Sequence, residues 1–128
     1  PHSLEEQADG LAAVVRAGLA RAVGVCNCSV EELRRIRARL WEAHGLALST
    51  CQVELSLVRQ LPCSSGLVAA CRSLGVVVLA YSPLAMGRLS GRFDPLGGTG
   101  PRWGRDGSRT RPFGTGLDAE PPALGRLL

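Results

Sequence analysis

Along the first 90 residues the spacing of apolar positions switches several times between helical and strand periods. Leu4, Ala8, Leu11 and Val15 recur at helical spacing behind Ser3-Leu4-Glu5-Glu6. That tetrad reads as a capping box, with Ser3 accepting from the third helical amide and Glu6 reaching back. Gly18 is placed to end the helix. Arg21 to Val25 is short, β-branched and bounded by turn residues, which predicts a buried strand with Cys26-Asn27-Cys28 as its exit loop. A second capping box, Ser29-Val30-Glu31-Glu32, opens a helix whose Leu33, Ile36 and Leu40 share one face. Arg34, Arg35, Arg37 and Arg39 fall mostly on the solvent side, where pairing with Glu31 and Glu32 is expected.

Beyond His44-Gly45 a strand is expected around Thr50 to Leu55, then a polar loop containing Pro62 and Ser64-Ser65-Gly66, then a helix from Leu67 to Leu74 closed by Gly75. Val76 to Ala80 is apolar at every position, as in a parallel strand covered by helices on both faces. Helix, strand, helix, strand, helix, strand in that order implies right-handed crossovers and a parallel sheet, either open or belonging to a barrel. From Arg92 onward Gly and Pro break any periodicity, so residues 96–128 are expected to form a disordered Gly/Pro/Arg-rich tail, with a helix start at Leu124 to Leu128 as the exception.

A length of 128 residues is enough for one domain, yet about half of a complete (β/α)₈ barrel of about 250 residues. No apolar run approaches the roughly 18 residues of a membrane span. Pro1 to Gly10 is acidic and polar without Lys or Arg, unlike a signal peptide. A soluble, core-forming protein of the cytoplasm is therefore expected, with a plastid as the alternative. The net charge of +4 rests on 15 basic residues, all of them Arg and concentrated toward the C-terminal third. Without interleaved aromatics or a recognition helix, that charge does not predict nucleic-acid binding. Five cysteines, an odd number, point to reduced thiols. Cys26-x-Cys28 lacks the usual zinc spacing and His partners, so packing thiols are expected.

Parallel α/β folds gather functional groups where strands end, here at Cys26-Asn27, Gln52 to Ser56, and Tyr81-Ser82. Asn27 and Gln52 offer amide donors and acceptors, Tyr81 a flat ring, and Ser82 with its neighbouring amides an anion contact. Such groups could hold an aromatic amide with a phosphate tail. Each also has an ordinary structural reading: Asn27 as a turn residue, Gln52 as a strand residue on a wet face, Tyr81 as a core aromatic with a satisfied hydroxyl.

Three stretches carry a resemblance that favours the functional readings. Val15 to Ser29 resembles the aldo/keto reductase segment "VRAGKVRAVGVSNYS", Thr50 to Ser56 its "SNQVEYS", and Ala80 to Phe93 its "AYSPLAQGLLTGKY". They occur in order, each at a predicted strand end, so the resemblance covers roughly residues 3 to 95. It implies a partial (β/α)₈ TIM-type barrel domain over residues 1–95 whose strand ends bind NADPH. Cys26, Asn27 and Gln52 correspond to the residues that hold the nicotinamide carboxamide, and Tyr81 to the aromatic that stacks on the ring. Ser82, Pro83, Leu84, Ala85 and Met86 match the stretch that wraps the pyrophosphate, and Arg92 replaces the family's Lys. Arg92 keeps the charge but changes the geometry of a phosphate contact. Cys26 stands where a Ser hydroxyl is usual, and a thiol is the poorer hydrogen-bond partner.

Members of that family reduce carbonyls by hydride transfer while a Tyr, assisted by Lys, Asp and His from the first half of the barrel, donates the proton. The present sequence contains no Lys, its single Tyr is Tyr81, and His2 is too close to the Leu4-Glu5-Glu6 box to match the family's His. No catalytic residue is therefore expected in this chain. By resemblance it is an NADP(H)-dependent oxidoreductase fragment, inactive alone, whose carbonyl substrate belongs to a complete parent protein. The alternative is a non-catalytic, truncated or degenerate module that binds a nucleotide or protein partner weakly. Half a barrel would also expose sheet edges through which the chain could associate with itself.

Overall fold

The computed structural model describes residues 2–90. The chain divides into two compact units, residues 1–83 and a second beginning at Leu84. In the first, helix α1 (Leu4–Arg16) leads to strand β1 (Val23–Cys26), helix α2 (Val30–His44), strand β2 (Leu48–Glu54), the short helix α3 (Leu61–Ser64), helix α4 (Leu67–Leu74) and strand β3 (Val77–Tyr81). In the second, the described part holds a 3₁₀ turn at Ala85–Gly87. The expected boundary at residue 95, Arg92 and the Gly/Pro/Arg-rich stretch lie outside the described residues.

Both capping boxes form. Ser3 Oγ accepts from the Glu6 amide at 3.1 Å while Glu6 Oε2 accepts from the Ser3 amide at 2.8 Å. The Ser29–Glu32 pair repeats this at 3.2 and 2.7 Å. Gly75 ends α4 at φ 71°, a left-handed conformation that any side chain would strain, and so aims the chain into β3. Helix α3 departs from the expected polar loop. Its Pro62 sits in the first turn, where a missing N–H costs nothing, and it is too short to show a helical apolar period.

The strands form one parallel sheet in the order β1-β2-β3. Val25 pairs with Cys51 and Cys51 with Val78, Cys26 with Gln52 and Gln52 with Leu79, and Glu54 with Tyr81. Register slips by one residue between Val23 and Gly24. At that slip β1 runs close to β2, and a Cβ on Gly24 would collide with the Thr50 side chain and lie 2.9 Å from the Thr50 carbonyl.

Alternate strand positions face two different surroundings. Val23, Cys51 and Val53 join Ala8 and Ala12 of α1, Leu33, Ile36 and Leu40 of α2, and Leu67, Ala70 and Cys71 of α4 in one core, with Val25 and Val78 packed against it. Fully burying a side chain such as Leu33 or Leu40 is worth about 1.5–3 kcal/mol. On the opposite face Gly24, Cys26, Gln52, Val77 and Leu79 are exposed, the last two at 58% and 45%. The apolar run at Val76 to Ala80 had predicted a strand covered on both faces. In the described residues it is covered on one, because α1, α2 and α4 all pack into the same core. A sheet covered this way is an α/β arrangement of the kind a barrel sector uses, whereas doubly wound sheets carry helices on both faces.

Charged groups join the helices where sequence spacing had suggested pairing within α2. Arg35 donates to Glu5 at 2.7 Å, Arg39 forks onto both Asp9 oxygens at 2.8 and 2.9 Å, and Arg37 Nε donates to the Leu74 carbonyl at 3.3 Å. Glu32 is already engaged at the N-cap of its own helix. No described helix is long and apolar enough to cross a membrane.

Candidate functional site

The carboxyl ends of the three strands bring the predicted amide and aromatic residues together. Cys26 and Gln52, register partners, are both exposed on the open face of the sheet. One residue past β1 the Asn27 amide donates to the Gln52 carbonyl at 2.9 Å, so the exit of β1 is tied to β2 after the strand itself has ended. From β3 the Tyr81 hydroxyl donates to Asn27 Oδ1 at 3.2 Å, bridging 54 positions of sequence. The Leu55 amide in turn donates to the Tyr81 carbonyl at 3.3 Å. Asn27, Gln52 and Tyr81 thus form one connected group, with Asn27 at its centre.

Backbone conformation marks the same segments. All four non-glycine residues with positive φ among the described residues are Asn27 (52°), Ser82 (52°), Ala85 (50°) and Met86 (56°), each a residue singled out from sequence. Left-handed backbone costs a non-glycine residue of order 1–3 kcal/mol, least for Asn, and such strain collects at functional sites. Asn27 uses it to turn its side chain back toward Tyr81, and Ser82 to redirect the chain after β3. Pro83 is exposed. In the second unit the Leu84 carbonyl accepts from the Gly87 and Leu89 amides at 3.0 and 3.1 Å, and the Ala85 carbonyl from the Arg88 amide at 3.2 Å, which coils Leu84, Ala85 and Met86 into a tight turn. Arg92 lies outside the described residues.

With Oδ1 committed to the Tyr81 hydroxyl, Asn27 keeps its two Nδ2 donors for another group, and Gln52 presents an exposed amide with both donor and acceptor. A planar amide ligand beside Tyr81 would match that donor set. Cys26, exposed in the same row, adds only a weak donor and acceptor.

Two features escaped sequence reading. Glu54, half-buried at the end of β2 beside Tyr81, has Arg59 Nε 3.9 Å from its carboxylate, and Ser56 and Arg59 close the loop between them with reciprocal backbone bonds of 3.2 Å. The signal available was an acid inside an apolar strand with an Arg five residues on. Asp9 collects Arg39 and His44, the latter at 2.6 Å, and these bonds, the one to Arg39 foremost, hold its carboxyl well below the usual carboxylate range.

The cysteines are not all packing thiols. Cys51 and Cys71 are buried and Cys28 is half-buried, but Cys26 and Cys63 are exposed. Cys28 Sγ lies 3.7 Å from Cys51 Sγ, and burial pushes both thiols up. A cleft of 550 Å³ runs between α1 and the free edge of β1, lined by Leu4, Leu11 and Val14 on one side and Gly24 to Cys28 on the other.

Comparison with known proteins shows the family. The family model described as Aldo/keto reductase family matches residues 1–111. The chain is similar to a chloroplastic pyridoxal reductase of Arabidopsis thaliana, 36% identical over 95 residues that make up 73% of this chain and 26% of the relative. An uncharacterized oxidoreductase of Schizosaccharomyces pombe is 32% identical over 90 residues, 70% of this chain and 25% of that protein. Aldo-keto reductase str7 of Strobilurus tenacellus is 29% identical over 90 residues, 70% and 26% of the two chains. The matched segment is about a quarter of the length of these relatives.

Proposed function

The chain belongs to the aldo/keto reductase family, and from that premise we propose that residues 1–95 are the nicotinamide-binding sector of a (β/α)₈ barrel completed by other parts of a longer protein. The observation that carries the proposal is the convergence of Asn27, Gln52 and Tyr81 on one end of the sheet, linked by the Tyr81–Asn27 bond of 3.2 Å and the Asn27–Gln52 bond of 2.9 Å.

In this reading Asn27 Nδ2 and the Gln52 amide orient the nicotinamide carboxamide of NADP(H), with Cys26 a weaker third partner. The Tyr81 ring supports the nicotinamide face while its hydroxyl fixes Asn27. By the resemblance, Ser82, Pro83, Leu84, Ala85, Met86 and Arg92 correspond to the residues that follow the pyrophosphate. When bound, the reduced nicotinamide supplies the hydride that a carbonyl accepts. The proton must come from elsewhere in the parent, because the sequence has no Lys and Tyr81 is committed to the cradle. The Arabidopsis relative is named for pyridoxal, an aldehyde, so pyridoxal is the substrate to assay first in a complete parent.

The lack of Lys also favours a second reading for the isolated chain, a module that binds a nucleotide or a protein without catalysis. Both readings expect no turnover from the 128 residues alone, since loss of the acid catalyst by itself forfeits about 10²–10⁴ in rate. NADPH consumption with pyridoxal should match a protein-free blank, and turnover that scales with chain concentration and survives repurification would contradict this. Saturation-transfer NMR separates the two readings. The cradle predicts transfer to the nicotinamide protons in excess of the adenine protons, and the reverse order would remove the basis for the assignment.

A further inference from the structure

Cys28 and Cys51 stand in a relation that cofactor binding does not use. Cys28 follows Asn27 in the loop leaving β1, Cys51 precedes Gln52 within β2, and their sulfurs are 3.7 Å apart. A disulfide needs about 2.0 Å between sulfurs, so side-chain rotation with small local adjustment has less than about 2 Å to close. The two thiols differ in access, Cys28 half-buried and Cys51 fully buried. We propose that this pair is an oxidation site, with Cys28 oxidised first and Cys51 resolving it to an intramolecular disulfide that ties the exit of β1 to β2. The proposal rests on the sulfur geometry and is independent of the cofactor reading.

The oxidant is a peroxide. The Cys28 sulfur attacks one peroxide oxygen, the O–O bond breaks, and the departing hydroxide leaves as water with the thiol proton, giving a sulfenic acid. The Cys51 sulfur then attacks the sulfenic sulfur, the S–S bond forms, the S–O bond breaks, and the hydroxyl leaves as water with the second proton. Two thiols and one peroxide give one disulfide and two waters. Burial holds both thiols up, and Cys71 of α4 and Glu32 of α2 face Cys28 and oppose its ionisation further. The thiolate is therefore scarce near neutral pH and the reaction is slow there, accelerating up to roughly tenfold per pH unit below the thiol pKa.

Tryptic mapping of the peroxide-treated, alkylated chain reads the outcome, because the cysteines fall on three peptides, residues 22–34, 40–59 and 60–72. The expected product joins 22–34 to 40–59 within one chain, shows no mixed species from labelled and unlabelled protein, disappears on reduction, survives Cys26→Ser and is lost in Cys28→Ser. Circular dichroism of each variant before oxidation checks that it is folded, and the exposed Cys26→Ser variant carries the test if Cys28→Ser is not. A bond from Cys51 to peptide 60–72, links only between chains, or overoxidised thiols without a link would overturn the proposal.

Discussion

At the scale of single residues, two positions carry more than their side chains suggest. Gly24 lets β1 approach β2 at the register slip, and its missing Cβ is space that Thr50 occupies. Gly24→Ala is expected to lower stability by about 1–3 kcal/mol, as overpacking does, read as a fall in denaturant midpoint at unchanged slope. A wild-type midpoint would mean the strands part without cost. Asn27 holds φ 52° and the Tyr81 hydroxyl together. Asn27→Gly keeps the backbone but loses the bond, whereas Asn27→Ala loses both, so the Ala variant should be the less stable by about 1 kcal/mol. Equal denaturant midpoints for the two variants would show that the left-handed turn carries no strain. Sequence alone presented Asn27 either as a turn residue or as an amide for a ligand, and the turn is what its φ of 52° shows. The bond to Tyr81 was not legible, since it exists only once β1 and β3 lie on either side of β2.

Elements whose signals are local were the easiest to read. The capping boxes of α1 and α2 sit within four residues each and form as their spacing implies. Helix α3 was missed because four residues show no period, and the bonds from Arg35 to Glu5 and from Arg39 to Asp9 were not foreseen because a helix-to-helix pair leaves no trace in local spacing. The Asp9 cluster between α1 and α2 has a consequence that pH exposes. Its carboxyl is held down mainly by Arg39 and then His44. A depressed carboxylate contributes stability that is fully present above its unfolded pKa of about 3.9 and is lost as pH falls through the folded value. Melting temperature should therefore differ between wild type and Asp9→Asn near pH 6, the wild type being higher, and the difference should shrink steadily below about pH 4. A gap that stays constant to low pH would show that the charge of Asp9 is irrelevant to helix pairing.

On the scale of the whole molecule, the described sheet has a helix-covered face, an open face and free edges on β1 and β3, in a segment about a quarter the length of its relatives. The order of parallel units was legible because each helix and strand period is local. The bare face was not, because an apolar run such as Val76 to Ala80 looks the same whether one or two layers cover it. Exposed Val77 and Leu79 together with unpaired edges favour self-association. Sedimentation equilibrium should give a mass that rises with concentration and rises less for Val77→Lys, and a monomer at all concentrations would argue against an open apolar face. Titration of NADPH by calorimetry tests the nicotinamide cradle. Because the proposed cradle offers contacts to only part of the dinucleotide, the expected dissociation constant is no tighter than about 1 mM, or roughly 4 kcal/mol. Tyr81→Ala should weaken it about threefold to tenfold, the 0.5–1.5 kcal/mol of an aromatic contact. Tyr81→Phe, which keeps the ring, should weaken it less. Micromolar binding, or weak binding that ignores the loss of Tyr81, would contradict the cradle.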